Sequence, residues 1–191
     1  MNVRTVLVLI GLAAVVGGVV HVLRRPRGDE LTHLIRGKVF FEEDRYLDAE
    51  REFGAALELA ADDPLVWRSL ATVLIRGSRD YARSAELFRK TLDRQPDDAG
   101  AWFGLGVALR FQQDFEGAER AFAKAREYAP TDLESTYYHG ESLQDLDQDD
   151  EARACFERVL ELDPDDGAAL YKLSQLLRRS DPARSKLLRE R

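Results

Sequence analysis

Two hydrophobic patterns divide the chain. Between residues 5 and 23 there is no formally charged side chain, and Val, Leu, Ile, Ala and Gly fill nearly every position. Nineteen helical residues at about 1.5 Å each approach the ~30 Å hydrocarbon thickness of a bilayer, so the pattern predicts a transmembrane helix within residues 1–27. A cleavable signal peptide has a shorter apolar core and a small-x-small cleavage site. This run ends instead in His21, Val22, Leu23, Arg24 and Arg25, which favours an uncleaved anchor. A buried core helix fits less well, because such helices rarely stay apolar around the whole circumference and then stop at a basic cluster. Arg24, Arg25 and Arg27 outweigh Arg4 and the terminal amine by about one charge. The expectation is a single-pass membrane protein with its domain in the cytoplasm, a periplasmic or luminal domain being the alternative.

Beyond residue 28 the pattern becomes amphipathic and periodic. Trp102, Leu105 and Leu109 share one helical face, and Phe115, Ala118, Phe122 and Ala125 share another. Pro64, Pro96, Pro130 and Pro164 follow one another at 32, 34 and 34 residues, each closing one apolar pattern and preceding the next. Proline suits the turn before a helix and is excluded from its interior, so this spacing cuts the chain into similar units. The turns also carry helix-start chemistry: Asp97 and Asp98, Asp165 and Asp166, and a capping box from Thr131 to Glu134.

The third unit reads Trp102, Leu105, Gly106, Leu109, then Phe115, Ala118, Phe122, Ala125 and Pro130. It resembles a tetratricopeptide repeat, in which two antiparallel helices pack at such positions. Gly106 is expected to admit the small Ala118, with Trp102, Leu109 and Phe122 filling the surrounding space. The fourth unit keeps Gly140, Leu143, Ala152, Phe156 and Pro164 but has Thr136 and His139 for the Trp and Leu. The second has Trp67, Leu70, Ala71, Leu74, Phe88 and Pro96, with Ser84 and Thr91 in place of Ala and one residue added near Arg79. The first keeps Gly37, Phe40, Ala49, Phe53 and Ala56, with His33 and Arg36 at apolar positions. Leu170, Leu173, Leu176 and Leu177 form one more amphipathic helix that resembles the solvating end of such arrays. The resemblance implies an all-α fold, a right-handed α-solenoid of about four helical hairpins plus a C-terminal capping helix, preceded by one transmembrane helix. Its organisation is an anchor at 1–27, an array at 28–180 with repeats at 30–63, 64–98, 99–132 and 133–166, a capping helix at 167–180, and a basic tail at 181–191.

Charge narrows the partners. Residues 28–191 carry 24 Lys and Arg against 35 Asp and Glu, a formal −11. An acidic domain repels phosphate backbones, so no nucleic acid partner is expected. The single cysteine, Cys155, rules out an internal disulfide and a paired-cysteine zinc cage, and reads as a small apolar residue on a helix. No glycine-rich phosphate loop is present, and Gly104 and Gly106 are explained by helix packing. The run Asp145, Asp147, Asp149, Asp150 and Glu151 lacks the glycine and terminal glutamate of a calcium loop and reads as a solvated turn. His139 reads as a partly buried, hydrogen-bonded side chain. No enzyme activity, metal or cofactor is expected.

The resemblance further implies that the first helices of successive units line a concave groove for a partner's peptide or helix. Carried over unit by unit, its residues are Leu34, Lys38 and Phe41; Arg68, Thr72, Ile75 and Arg76; Phe103, Val107, Arg110 and Phe111; Tyr137, Glu141 and Gln144; and Tyr171. Aromatic and basic side chains in one trough suit a protein segment bearing carboxylates and an apolar anchor. The expected function is therefore a membrane-tethered protein–protein scaffold. Self-assembly into a membrane-associated lattice is an alternative, as is a co-chaperone-like receptor. For the latter, Leu34, Lys38, Thr72, Phe103 and Val107 stand where that subfamily carries paired Lys and Asn.

Overall fold

The computed structural model describes residues 27–190. Among these, ten helices follow one another: α1 (Arg27–Glu42), α2 (Tyr46–Leu59), α3 (Pro64–Arg76), α4 (Tyr81–Arg94), α5 (Ala99–Phe111), α6 (Phe115–Tyr128), α7 (Leu133–Asp145), α8 (Asp149–Leu162), α9 (Gly167–Ser180) and α10 (Pro182–Glu190). Each packs on its neighbours in sequence, so the chain forms stacked hairpins whose first helices are α1, α3, α5, α7 and α9. The segment read as a basic tail is largely helical: α10 completes a fifth hairpin, with Ser185 and Leu188 buried against α9.

The expectation of a single-pass membrane protein is corrected. No helix among the described residues is long and apolar enough to cross a membrane. The span expected over residues 5–23 lies outside the described residues.

Aspartate starts most of the helices. The side chains of Asp63, Asp98, Asp132 and Asp166 accept from backbone N–H groups in the first turns of α3, α5, α7 and α9, and Asp80 and Asp114 do the same for α4 and α6. Each such cap satisfies an orphan donor and contributes about 1 kcal/mol. The start of α7 is therefore Asp132 bonding to Ser135, in place of the capping box expected from Thr131.

The turns inside the hairpins are equally regular. Asp44, Arg79, Gln113 and Asp147 all take left-handed backbone angles, with φ between 58° and 65°. In three hairpins the next amide reaches back to the helix: Arg45 to Phe40, Asp114 to Leu109 and Gln148 to Leu143. These bonds close the helix ends in the manner usually served by glycine. The second hairpin, with its additional residue, lacks the corresponding bond.

Phenylalanine rings set the closeness of the helices. A Cβ placed on Gly106 would stand 2.8 Å from Cδ1 of Phe122, and one on Gly37 would stand 2.6 Å from Cε1 of Phe53. Gly140 faces Phe156 in the same way. The partner of Gly106 is thus the Phe122 ring, not Ala118 as the sequence pattern suggested. In the second hairpin Ala71 replaces the glycine, and Ser84, which stands where alanine is usual, donates to the Ala71 carbonyl at 2.8 Å. Thr91 donates to Leu87 O at 3.0 Å, so both buried hydroxyls are satisfied. Trp67 and Trp102 donate to Ala61 O and Pro96 O, each at 2.8 Å, tying each indole to the turn before its helix.

His139 is buried, with Nε2 3.0 Å from Glu119 and Nδ1 3.4 Å from Cys155 Sγ, which also receives Arg126 Nη1 at 3.4 Å. Glu119 and Arg126 come from α6 and Cys155 from α8, so the cluster joins the third and fourth hairpins. Burial holds the imidazole below its ordinary 6.5, and Arg126 adds to this while Glu119 opposes it. Burial pushes the Cys155 thiol up, which disfavours the nucleophilic thiolate.

Two predictions follow from this packing. Gly106→Leu should destabilise by about 1–3 kcal/mol through overpacking against Phe122. Gly54→Ala, where a Cβ meets nothing within 4 Å, should stabilise by about 0.5–1 kcal/mol because glycine is the poorer helix former. Chemical denaturation of both variants checks the pair. For His139 the unfolded chain takes up a proton at 6.5, before the folded chain does. Its contribution is complete above that pH and is lost as the pH falls below it. Melting curves between pH 7.5 and 5.5 should show a steeper loss for the wild type than for His139→Leu.

Candidate functional site

The face built by the first helices holds three adjoining depressions, one of which, about 530 Å³, is lined by Val107, Arg110, Phe111, Phe122, Tyr138, Glu141 and Asp145. The largest of them, about 770 Å³, lies across α1, α3 and α5 and is lined by Phe41, Thr72, Ile75, Arg76, Phe103, Val107 and Phe111 of the sequence-derived groove. Residues not anticipated complete it: Tyr46, Arg79, Tyr81, Glu134 and Tyr138 among them. The smallest, about 360 Å³, lies between α1 and α3 and is lined mainly by Leu31, Leu34, Ile35, Phe41 and Leu65, with Lys38 and Arg68 at its edge.

The unanticipated aromatics had a signal in the sequence. Tyr46, Tyr81 and Phe115 are the first residues of α2, α4 and α6 and recur at 35 and 34 residues. Tyr46 and Tyr81 each meet the end of the next first helix, 30 residues on. The Tyr46 hydroxyl lies 3.3 Å from Arg76 Nη1, and the Arg76 guanidinium sits 6.0 Å from the Tyr46 ring and 5.9 Å from that of Phe41. Tyr81 stacks on the exposed Phe111 with centroids 4.6 Å apart and planes 7° from parallel. Phe103 is half-buried, edge-on to Tyr138 at 5.5 Å and tilted against Phe122 at 5.6 Å, so it is core and groove wall at once.

The positive charges differ in availability. Arg68 Nη1 donates to Asp98 Oδ2 at 3.0 Å while the other oxygen of that carboxylate caps α5. Arg110 bonds to Glu141 and Asp145, both at 2.7 Å. Glu141 is also held by Lys172 at 2.7 Å and lies 3.5 Å from the Tyr137 hydroxyl. Burial, reinforced by Glu141, pushes the Tyr137 phenol up to about 12, so it stays neutral. Tyr137 itself packs between Tyr138 and Phe156. Tyr171 is exposed on α9, outside all three depressions. Gln144 also lies outside them. Lys38 is exposed, with Glu42 at 3.8 Å. The structure thus brings Phe41, Thr72, Arg76, Phe103, Val107 and Phe111 together, and places the ion-paired Arg110, Glu141 and Asp145 in the adjoining depression beyond them.

No curated protein matches the chain. Solved structures do: a MamA protein at 15% identity, covering 85% of each chain with a TM-score of 0.71; MamA from Desulfovibrio magneticus RS-1 at 18% identity, covering 85% of this chain and 90% of that one, TM-score 0.74; and PilF of Pseudomonas aeruginosa at 17% identity, covering 84% and 73%, TM-score 0.74. At these identities the likeness is one of fold. The family described as tetratricopeptide repeat matches residues 76–132 and 137–184, together more than half of the sequence. The chain belongs to the tetratricopeptide repeat family.

Proposed function

We propose that the chain is a protein-interaction scaffold whose array, residues 28–180, receives a helix or extended segment of a partner on the first-helix face. The observation that carries this reading is the 770 Å³ depression, with seven aromatic residues in its lining alongside Arg76 and Arg79. Aromatic side chains give large contact area at low entropic cost, and arginine adds a charged anchor. The partner segment carries carboxylates beside an apolar anchor. Its carboxylates are directed to Arg76 and Arg79, because Arg68 and Arg110 already face Asp98, Glu141 and Asp145.

The test uses fluorescent peptides of equal length with a Phe or Leu anchor and acidic, neutral or basic flanks. Acidic peptides should bind best, with affinity falling as salt is added. Arg76→Glu combined with Arg79→Glu should weaken binding about tenfold, since exposed pairs contribute up to about 1 kcal/mol each, and should leave the helical circular dichroism unchanged. Equal binding of basic peptides, or an unaffected double variant, would move the site elsewhere. Arg110→Glu serves as contrast: it places like charges against Glu141 and Asp145 and should lower the melting temperature.

A further inference from the structure

Repetition allows the charges that face the groove to be compared unit by unit. On α7 the groove-facing residues are Glu134, Tyr138, Glu141 and Asp145, whose spacing of four, three and four residues keeps them on one helical face. The same four positions on α5 are Gly100, Gly104, Val107 and Phe111, without charge, and on α3 the last of them is Arg76. Among the described residues, every carboxylate lining the three depressions belongs to α7, whereas every cation lining them lies on α5 or earlier in the chain. The depressions are continuous, because Phe41 and Thr72 line both the smallest and the largest, and Val107, Phe111 and Tyr138 line both the largest and the one at α7. A single trough therefore runs from a basic end to an acidic end.

Existing bonds leave charge to offer at both ends. Arg76 donates to the neutral Tyr46 hydroxyl, and Lys38 meets Glu42 at 3.8 Å with both side chains exposed. At the other end Glu141 is taken up by Arg110 and Lys172, but Arg110 reaches Asp145 through Oδ2, and Glu134 is exposed. A carboxylate with one oxygen engaged still accepts further bonds. We propose that the partner segment is dipolar: carboxylates at the end lying over α3, apolar residues over Ile75, Phe103 and Val107, and lysine or arginine at the end that reaches Glu134 and Asp145. Opposed charges then fix the direction in which the segment lies, since turning it round would set acid on acid and base on base. This rests on the groove reading and adds a second charge requirement and an orientation to it. Two steps between first helices at about 8 Å each separate α3 from α7, a span of about five extended or eleven helical residues.

The experiment uses the full chain and synthetic peptides with a central Phe. One design carries an Asp pair at one end and a Lys pair at the other, the second an Asp pair at both ends, and each is made with the extended and the helical spacing between pairs. At the better spacing the dipolar peptide should bind at least about threefold tighter than the doubly acidic one. Glu134→Gln combined with Asp145→Asn should erase that preference with the helical circular dichroism unchanged. Arg76→Glu combined with Arg79→Glu should weaken the doubly acidic peptide more than the dipolar one, which can turn round. A benzophenone at the acidic end of the dipolar peptide should label residues 27–80, and one at the basic end residues 133–148, as read by mass spectrometry. Doubly acidic binding at least as tight and still dependent on Arg76 and Arg79, or the same region labelled from both ends, overturns the dipolar segment and leaves the groove reading standing. Binding of neither peptide, or binding indifferent to Arg76 and Arg79, overturns both.

Discussion

The distance between the two helices of a hairpin is set by a ring lying where the opposite helix has no side chain. Phe53, Phe122 and Phe156 each rest on a glycine of the first helix, and everything else accommodates that approach. The rings fill the space a Cβ would take, and dispersion contacts accumulate along the hairpin. Where Ala71 replaces the glycine, Ser84 adds a hydrogen bond to the Ala71 carbonyl. Stacking then follows from the same logic, since Phe88 presses onto Gly104 of the next unit. Small residues on first helices and rings on second helices therefore define both the hairpin and the junction.

Much of this was legible in the chain. The proline period and the Leu-Gly step gave helix pairs in the right places, because both act locally through the backbone. What escaped were interactions without a local signature. The partner of Gly106 lies sixteen residues on, and a pattern of types cannot say whether Ala118 or Phe122 touches it. The left-handed residues Asp44, Arg79, Gln113 and Asp147 recur at the repeat period, yet no glycine marked them. The capping of α7 by Asp132 lost out to a familiar motif one residue earlier. The apolar run at 5–23, read as a membrane span, lies outside the described residues, and no helix among those described is long and apolar enough to cross a membrane.

In the groove, composition misled more than pattern. Counting Arg68, Arg76 and Arg110 gave a basic trough, whereas two of the three are answered by carboxylates thirty or more residues away. Such pairings arise only when the units stack, so a unit-by-unit reading counts each cation as free. The same stacking produced Tyr46 beside Arg76 and Tyr81 on Phe111, contacts between units that no single repeat contains. His139 and Cys155 behave alike: each looked isolated in sequence, and each acquires partners from α6.

Asp98 holds the start of α5 with one oxygen and Arg68 of α3 with the other. Arg68 is consequently masked only while the third hairpin is docked on the second. Solenoids open from their ends, unit by unit, because each unit contacts only its neighbours. An array frayed back to α4 would present an unmasked guanidinium at its broken edge. The charge offered to solvent is in that sense a readout of how many units are folded.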